Sequence, residues 1–543
     1  MFSGNKTERA AAAVREYERL SANRGILDSH CEEIAERVVP RSKGLFLGKI
    51  NPINVGDKKN EEIFDSSPAI ALSRMVAIID SLLSPRNETW HRLSANDPNL
   101  AKIRSVQLYF EEANQTLFRH RYAAKANFSS QNYQTLESSC AFGTGSMFVD
   151  ALYGEQGLRY RNIHLGEIYF KENHQGQVDT AIRCFPMSAR QALQKWPKTL
   201  PDTIRKTLVT DPDKEFWFVH EVKPRIEGYD PTRKDFKGMF YQSLYVSLED
   251  KAELDEGGYN VFPYPAARFN KSHREPYGRG AFMDVLPAIK TLNLQKKVLL
   301  KQGHMAVDPI YLMHDDGIMD GFAAIPGTMV PGGVSKEGRQ LVQALQPGNV
   351  SLGKDLMDLE KQAIDDASFV SLFQILIENP QMSATEVLER SKEKGILLAP
   401  PLGILQTEYH GALIERELDL LSMQGLLPEM PPELVEAGGG FRVDYESPLN
   451  RSQRSGESSG VMRTIESMLA VVNVTQNPEP LDFFNWDVIA KETAFNQGVP
   501  TRYMRSDEEV QAIRQGRAQQ AEDEKAIQAA PAAAAMVKAA NNA

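Results

Sequence analysis

Apolar residues recur every three or four positions over some stretches of this chain and every second position over others. Val14, Tyr17 and Leu20 set a helical repeat in residues 7–39 that Pro40 stops. "AIALSRMVAIIDSLL" (Ala69–Leu83) predicts a strong helix ended by "SPRNE", and a strand-like "TWHRLS" follows. Residues 101–122 and 132–143 predict two more helices. From Ser146 to about Val222 the period drops to two, in "SMFVDAL", "LRYRNIHLGEIYF", "VDTAIRCFPM" and "EFWFVHEV". A helix is expected over 189–196, and strands continue through 241–246 and "YNVFPYPAARF". Helices followed by a β meander define an α+β body that is predominantly helical.

The second half reads differently. "YGRGAFMDVLPAIKTLNLQKKVLLKQGHM" (Tyr277–Met305) predicts one long helix, and a Gly/Pro-rich region over 308–353 separates it from a second at 354–378. "NPQMS" breaks the second helix; Ser383 and Glu386 then have the spacing of a capping box. Helices are expected over 403–423 and 460–472, with linkers "LPEMPPE" and "EAGGG" and a strand then turn in "FRVDYESPLN". The tail, 507–543, is polar, Ala-rich and helix-prone, interrupted by Pro531; it is expected to be flexible in isolation. No internal repeat is evident.

At 543 residues the chain has room for several cores. Its charge, 62 − 72 = −10, makes the surface as a whole repel nucleic acid and anionic lipid, so contact with DNA has to be local. Cys31, Cys140 and Cys184 form no C-x-x-C pair and are expected as reduced thiols of a cytosolically made protein. The N-terminal apolar run is broken by Arg15 and Glu16, and "FVSLFQILI" (Phe369–Ile377) is too short to span a bilayer. Neither a signal peptide nor a membrane partner is expected.

A catalytic site is not legible. "GLFLGKI" (Gly44–Ile50) has three residues between its glycines where a phosphate loop needs four, and Ile50 where Ser or Thr must reach Mg²⁺. "FGTGSMFV" (Phe142–Val149) precedes a strand, the reverse of the strand-to-helix order of phosphate-cradling loops, and reads as a helix-to-strand turn. In "MHDDG" (Met313–Gly317) two adjacent acids read as turn formers rather than as converging metal ligands. The ten histidines show no H-E-x-x-H and no metal-type spacing with cysteine. The expectation is a protein that is not an enzyme, with no metal and no cofactor.

The long helix carries the one local charge anomaly. Between Asp284 and Asp308 it has four lysines, one histidine and no acid. At about 100° per residue, Lys290, Lys297 and Lys301 fall within about 20° of one line, with His304 close to it. Val285, Ile289, Leu292, Leu299 and Leu300 lie on another side, although Leu286 and Leu294 fall near the lysines and Lys296 among the apolar residues. Two readings stand: a solvated face, or a stripe that meets phosphates or an acidic partner. The helix beyond the Gly/Pro-rich region is acid-rich, with Asp355, Asp358, Asp365 and Asp366. The two would form an antiparallel hairpin whose lysines and acids can meet on neighbouring copies of a ring.

In order and spacing, "REYERL…HCEEIAERVVP", "SLLSPRNETWHRLS", "SSCAFGTGSMFVD", "YPAARFNKSHREPYGRG", the long helix, "SATEVLER" and "VDYESPLNRSQRS" resemble the portal, or head-to-tail connector, proteins of T7-like short-tailed bacteriophages, over about 7–504. The resemblance implies a ring-forming portal fold, a dodecamer at one capsid vertex, through which viral dsDNA is packaged and ejected without sequence preference. It implies a wing at 1–275, stem helices at 276–305 and 354–378, a clip at 306–353, a tunnel loop at 379–383 and further wing helices at 384–437. A crown at 438–506 and the tail at 507–543 complete it. Lys290, Lys297, Lys301 and His304 become a stem stripe for DNA or a neighbouring subunit, with Asp355, Asp358, Asp365 and Asp366 as acidic partners. Asn379, Pro380, Gln381, Met382 and Ser383 would make the tunnel loop. Implied partners are the terminase large subunit, tail and adaptor proteins, and capsid and scaffolding proteins, with assembly in the host cytoplasm. The other class open is a ring-forming tail or adaptor protein attached to a portal.

Overall fold

A computed structural model describes residues 6–46, 56–86, 88–226, 228–313, 334–340, 342–344, 350–371, 398–445, 460–472, 476, 479–496, 499, 501–506 and 508–522. Helices α1 (Lys6–Arg37) and α2 (Ser67–Leu83) come first, then strand β1 (His91–Ala95) and helices α3 (Arg104–Arg121) and α4 (Phe128–Phe142). Strands β2 (Thr144–Ala151), β3 (Leu158–Ile163), β4 (Ile168–Glu172) and β5 (Val178–Ser188) lead to α5 (Ala189–Lys195) and α6 (Asp202–Thr210). Strands β6 (Glu215–Pro224), β7 (Tyr241–Ser247), β8 (Ala252–Tyr259) and β9 (Ala266–Arg268) follow, then the short β10 (Asn270–Lys271) and β11 (Gly278–Arg279). Next are α7 (Ala281–Asp284), α8 (Leu286–Val307), β12 (Tyr311–Met313), β13 (Val342–Ala344) and α9 (Val350–Ala367). Strand β14 (Phe441–Tyr445) lies beyond a helix at 398–423. The architecture is α+β, as the two hydrophobic periods require.

The chain divides into two units, one of residues 1–86 and 121–424, the other of 87–120 and 425–543. In the first, β4-β5-β6-β7-β8 form an antiparallel meander. Alternation along its strands separates two faces. Ile182, Cys184, Val219, Leu244 and Val246 meet Ala10, Ala13, Val14 and Tyr17, the buried stripe of α1. On the other face Phe185, Phe218 and Tyr245 meet Ala192 and Trp196, with Leu200 and Ile204 beyond. A capping box starts α5: Gln191 N–H donates to Ser188 Oγ while Ser188 N–H donates to Gln191 Oε1. A second sheet, β3-β2-β9, stacks its Ile163 and Ala266 with Phe170, Ala181, Val222 and Tyr264. Each fully buried aliphatic or aromatic side chain contributes about 1.5–3 kcal/mol, so these three clusters hold the unit together.

The helix at 398–423 is not uniform: Leu405–Gly411 is π-helical and Ala412–Met423 is α-helical. Glu417 on its α-helical part is fully buried and accepts hydrogen bonds from the Arg121 guanidinium and the Tyr160 hydroxyl. In the second unit β1 pairs antiparallel with β14, His91 opposite Tyr445, and Ser94 Oγ donates to Asp444 at 2.9 Å. Val106, Phe110, Ala113 and Leu117 are the buried face of α3. Helices also span 460–472, Trp486–Asn496 and 508–522, the last tied by Arg514 to Asp487 at 2.5 and 2.8 Å.

Candidate functional site at the helical hairpin

The hairpin starts from a joint of glycines. Gly143 (φ +79) ends α4, and β9 and β11 pass against its backbone. A Cβ on Gly143 would lie 2.2 Å from the Gly278 carbonyl oxygen, one on Gly278 2.3 Å from the Gly143 carbonyl oxygen, and one on Gly280 2.6 Å from the Cys140 carbonyl oxygen. Only residues without side chains let these backbones approach so closely. The joint is stitched by Gly278 N–H to Thr144 Oγ1 at 2.8 Å and Phe269 N–H to Gly143 O at 3.0 Å. Thus "FGTGS" is the helix-to-strand turn expected, and "YGRG" is its counterpart, placing α7 and α8.

Pro287 sits in the first turn of α8, where its missing N–H is harmless. Leu286, Ile289 and Leu292 are buried. The wheel had put Leu286 beside the lysines and Leu300 on the apolar side; Leu286 is buried and Leu300 exposed. The physical reason is that packing of α8 against α1, α7 and α9, and not angle on the wheel alone, decides which of its leucines are covered. Strands β12 and β13 pair antiparallel, Tyr311 opposite Ala344, and join the ends of α8 and α9 as an antiparallel hairpin. On α9, Met357 and Ile364 are buried, and a Cβ on Gly353 would touch Leu299 Cδ1 at 3.4 Å.

The lysines divide into two groups. Lys290 forms an ion pair with Glu33 of α1, and this bond holds the Glu33 carboxyl below its usual range. Lys297 places its ammonium 5.2 Å from the centroid of the Phe64 ring. Between them Asn293, which the sequence did not single out, clasps the segment before α2. Its Oδ1 accepts from Phe64 N–H at 2.7 Å and Asp65 N–H at 3.4 Å, and its Nδ2 donates to Glu62 O at 3.1 Å. Lys301 and His304 are exposed and make no ion pair among the described residues.

Asp355, Asp358 and Asp366 of α9 are exposed, and Asp358 reaches Lys361 one turn on at 3.9 Å. Burial raises the Asp365 carboxyl against the pull of Arg74. Among the described residues no ion pair joins α8 to α9, and Asp355, Asp366, Lys301 and His304 make none at all. Apolar residues are unmatched too: Leu294 is 62% exposed and Leu359 64%, with Val298 and Leu356 close behind. Asn379, Pro380, Gln381, Met382 and Ser383 lie outside the described residues, as do His314, Asp315 and Asp316 of "MHDDG" and Lys49 and Ile50 of "GLFLGKI".

Among the described residues no group of three or more His, Cys, Asp or Glu converges on a metal position, and no helix is long and apolar enough to cross a membrane. Cys31, Cys140 and Cys184 are buried and form no disulfide, with burial pushing the Cys31 thiol up to about 12.

The described residues thus give a hairpin rooted in the first unit, with exposed charged and apolar side chains along it. The sequence profile of bacteriophage head to tail connecting proteins matches residues 10–504, and the chain belongs to that family. A probable portal protein of Bordetella phage BPP-1 is 27% identical over 541 residues, covering 95% of this chain and 92% of the relative. A portal protein of Salmonella phage epsilon15 is 25% identical over 531 residues, covering 96% and 93%.

Proposed function

We propose that the chain is the portal subunit of a short-tailed phage, a structural protein of the virion that assembles with copies of itself at one capsid vertex and lets dsDNA in and out. The observation that carries this is the match to connecting proteins over residues 10–504 together with two portal relatives aligned nearly end to end. The hairpin supports it. Exposed apolar residues on α8 and α9, distal cations on one helix and exposed acids on the other suit packing against the next hairpin of a ring.

In this proposal 276–305 and 354–378, which hold most of α8 and α9, are the stem, 306–353 the clip, 379–383 the tunnel loop and 438–506 the crown, with 1–275 and 384–437 as wing. Any cation facing the lumen repeats around the ring, so its attraction to phosphate adds up, is salt-dependent and carries no sequence preference. The net charge of −10 keeps that attraction local, so DNA slides. Lys301 and His304 are the stripe residues left for DNA or a neighbour's Asp355 and Asp358, whereas Lys290 and Lys297 serve the subunit's own fold. The terminase motor, tail and adaptor proteins, and capsid and scaffolding proteins are the partners that such a ring would dock.

Native mass spectrometry and electron microscopy of the purified chain test the proposal. The expected result is a closed ring of about twelve subunits with an axial channel. A chain that stays monomeric at high concentration and forms no ring in particles would sink it. Labelling in virions separates the portal from an adaptor, whose ring lies outside the capsid shell.

A further inference from the structure

Where the two sheets of the first unit meet, strand register gathers cations from three elements. Across the meander Arg183 lies opposite His220, His220 opposite Tyr245 and Tyr245 opposite Asp255, one row on the face that α5 covers. In the second sheet Phe148 lies opposite Arg161. The Phe148 ring is 4.8 Å from that of Tyr264 and 6.1 Å from that of His220, so this face is turned to the row. Lys195, the last residue of α5, holds its ammonium 3.7 Å from the centroid of the Tyr245 ring and 4.8 Å from that of Trp196.

Most of the charges around this cleft are already engaged. Arg183 is 5% exposed and donates to Glu167 from Nε at 3.1 Å and from Nη2 at 2.9 Å. Arg416 takes Asp419 at 2.7 Å and stands 4.0 Å from Asp150. Asp255 is exposed and makes no ion pair among the described residues. The side chains of Arg161 and Lys195 make neither an ion pair nor a hydrogen bond among the described residues. Burial, with Arg183 and Arg161 adding to it against Asp150 and Asp255, pushes the Lys195 ammonium down to about 8. Burial and then Arg183 lower Arg161 too, against Glu167 and the tyrosines. Both residues are open to solvent, yet protein surrounds their heads closely enough to disfavour the charge, a combination that marks a cleft and not a convex surface.

We propose that Arg161 and Lys195 form a binding site for a carboxylate, one oxygen taken by the guanidinium and the other by the ammonium, with Arg183 behind them adding its charge. The two heads repel each other in the empty cleft. A single oxyanion between them removes that repulsion and occupies donors that the fold leaves unused. Asp150 and Asp255 at the edge repel an anion in proportion to its charge, so a singly charged carboxylate fits better than a doubly charged phosphate. The site lies within the first unit, and its test stands apart from the portal assignment.

Trace acetylation of the full-length chain with acetic anhydride, read by peptide mass spectrometry, reports occupancy, because an ion-paired ammonium gives up its proton less readily and reacts more slowly. Without added carboxylate at pH 7.5, Lys195 should acetylate faster than the exposed Lys198 and Lys206. Sodium acetate, at ionic strength held constant with chloride, should slow Lys195 about threefold at twice its dissociation constant and leave Lys198 and Lys206 unchanged. A short blocked peptide carrying one aspartate distinguishes the sources: stronger protection than by acetate assigns the occupant to a partner's side chain, equal protection to a free acid. Arg161→Gln, an exposed change that the fold tolerates, should abolish the protection while Lys195 stays reactive. Protection that survives in Arg161→Gln, that phosphate gives equally well, or that extends to Lys198 and Lys206 would overturn the site. So would a Lys195 rate that no concentration of acetate slows.

Discussion

Lys297 rests its ammonium 5.2 Å from the centre of the Phe64 ring, so a lysine that looks free in the sequence is held by the segment preceding α2. Together with the Lys290–Glu33 pair, this splits a single helical stripe into an inner half that serves the fold and an outer half that is unmatched.

Charge reversal should reveal the split. Lys290→Glu sets two carboxylates against each other; the lost pair is half exposed, so the loss should stay near or below about 1 kcal/mol. Glu33→Lys combined with Lys290→Glu should recover most of it. Lys301→Glu should leave stability within about 0.5 kcal/mol of the parent, as an exposed change does, while reducing ring formation or DNA-filled particles. Urea unfolding and particle counts measure the two effects. Equal losses of stability from Lys290→Glu and Lys301→Glu would contradict the division.

The glycine joint predicts a sharp contrast between alanine substitutions. Gly143→Ala forces a Cβ into the Gly278 carbonyl and into a left-handed backbone (φ +79), and Gly280→Ala drives one into the Cys140 carbonyl. Each should destabilise by about 3 kcal/mol or more, seen as lost soluble yield or a lower Tm. Gly25→Ala, within α1 and with open space around its Cβ, should stabilise by roughly 0.5–1 kcal/mol.

These residues also show where the sequence was informative. The period-two runs gave β4 to β7 but not β8, where Gly257 and Gly258 interrupt the alternation, and the apolar repeats gave α1, α2 and the bodies of α8 and α9, although α8 starts only at Leu286 and α9 ends at Ala367. The helix at 202–210 was missed since its nine residues bury little beyond Ile204. Strand β1 was expected, yet its partner β14 lies some 350 residues away, a pairing no local pattern encodes. The π-helical turn is equally silent, for it depends on what Glu408, Tyr409 and Glu417 meet in space. At the candidate site the wheel groups the lysines by angle, whereas tertiary contacts set Lys290 and Lys297 apart from Lys301 and His304. Asn293 carried no periodic signal at all.

The buried triad of Arg121, Tyr160 and Glu417 should be intolerant in proportion to the charge left behind. Glu417→Gln removes the buried charge that Arg121 and Tyr160 share and should cost about 3–5 kcal/mol. Tyr160→Phe removes one hydrogen bond to a carboxylate that keeps its arginine, and should cost about 1.5–3 kcal/mol. Denaturant unfolding of the two variants gives the ordering, and a Tyr160→Phe loss as large as that of Glu417→Gln would contradict it.

Acid should unfold the protein well before its carboxylates titrate. His220 and His410 are fully buried, and burial holds both rings neutral, His410 down to about 3 and His220 well below its usual value. His220 is served by Tyr264 Oη at 2.6 Å and Ser243 Oγ at 2.9 Å and stacks on Tyr245 at 3.9 Å, an arrangement suited to the neutral ring. Both pKa values are lowered on folding from about 6.5, so below that pH the unfolded chain binds the extra protons and stability falls as pH falls. Below pH 6.5 each ring contributes a slope of up to about 1.4 kcal/mol per pH unit. Urea midpoints at pH 7.5, 6.5, 5.8 and 5.0 should be level over the first interval and drop steeply thereafter. His220→Gln, which removes one titrating ring, should flatten the slope even though it lowers stability at pH 7.5. Midpoints that stay level down to pH 5 would mean that water reaches both rings and that they titrate as in the unfolded chain.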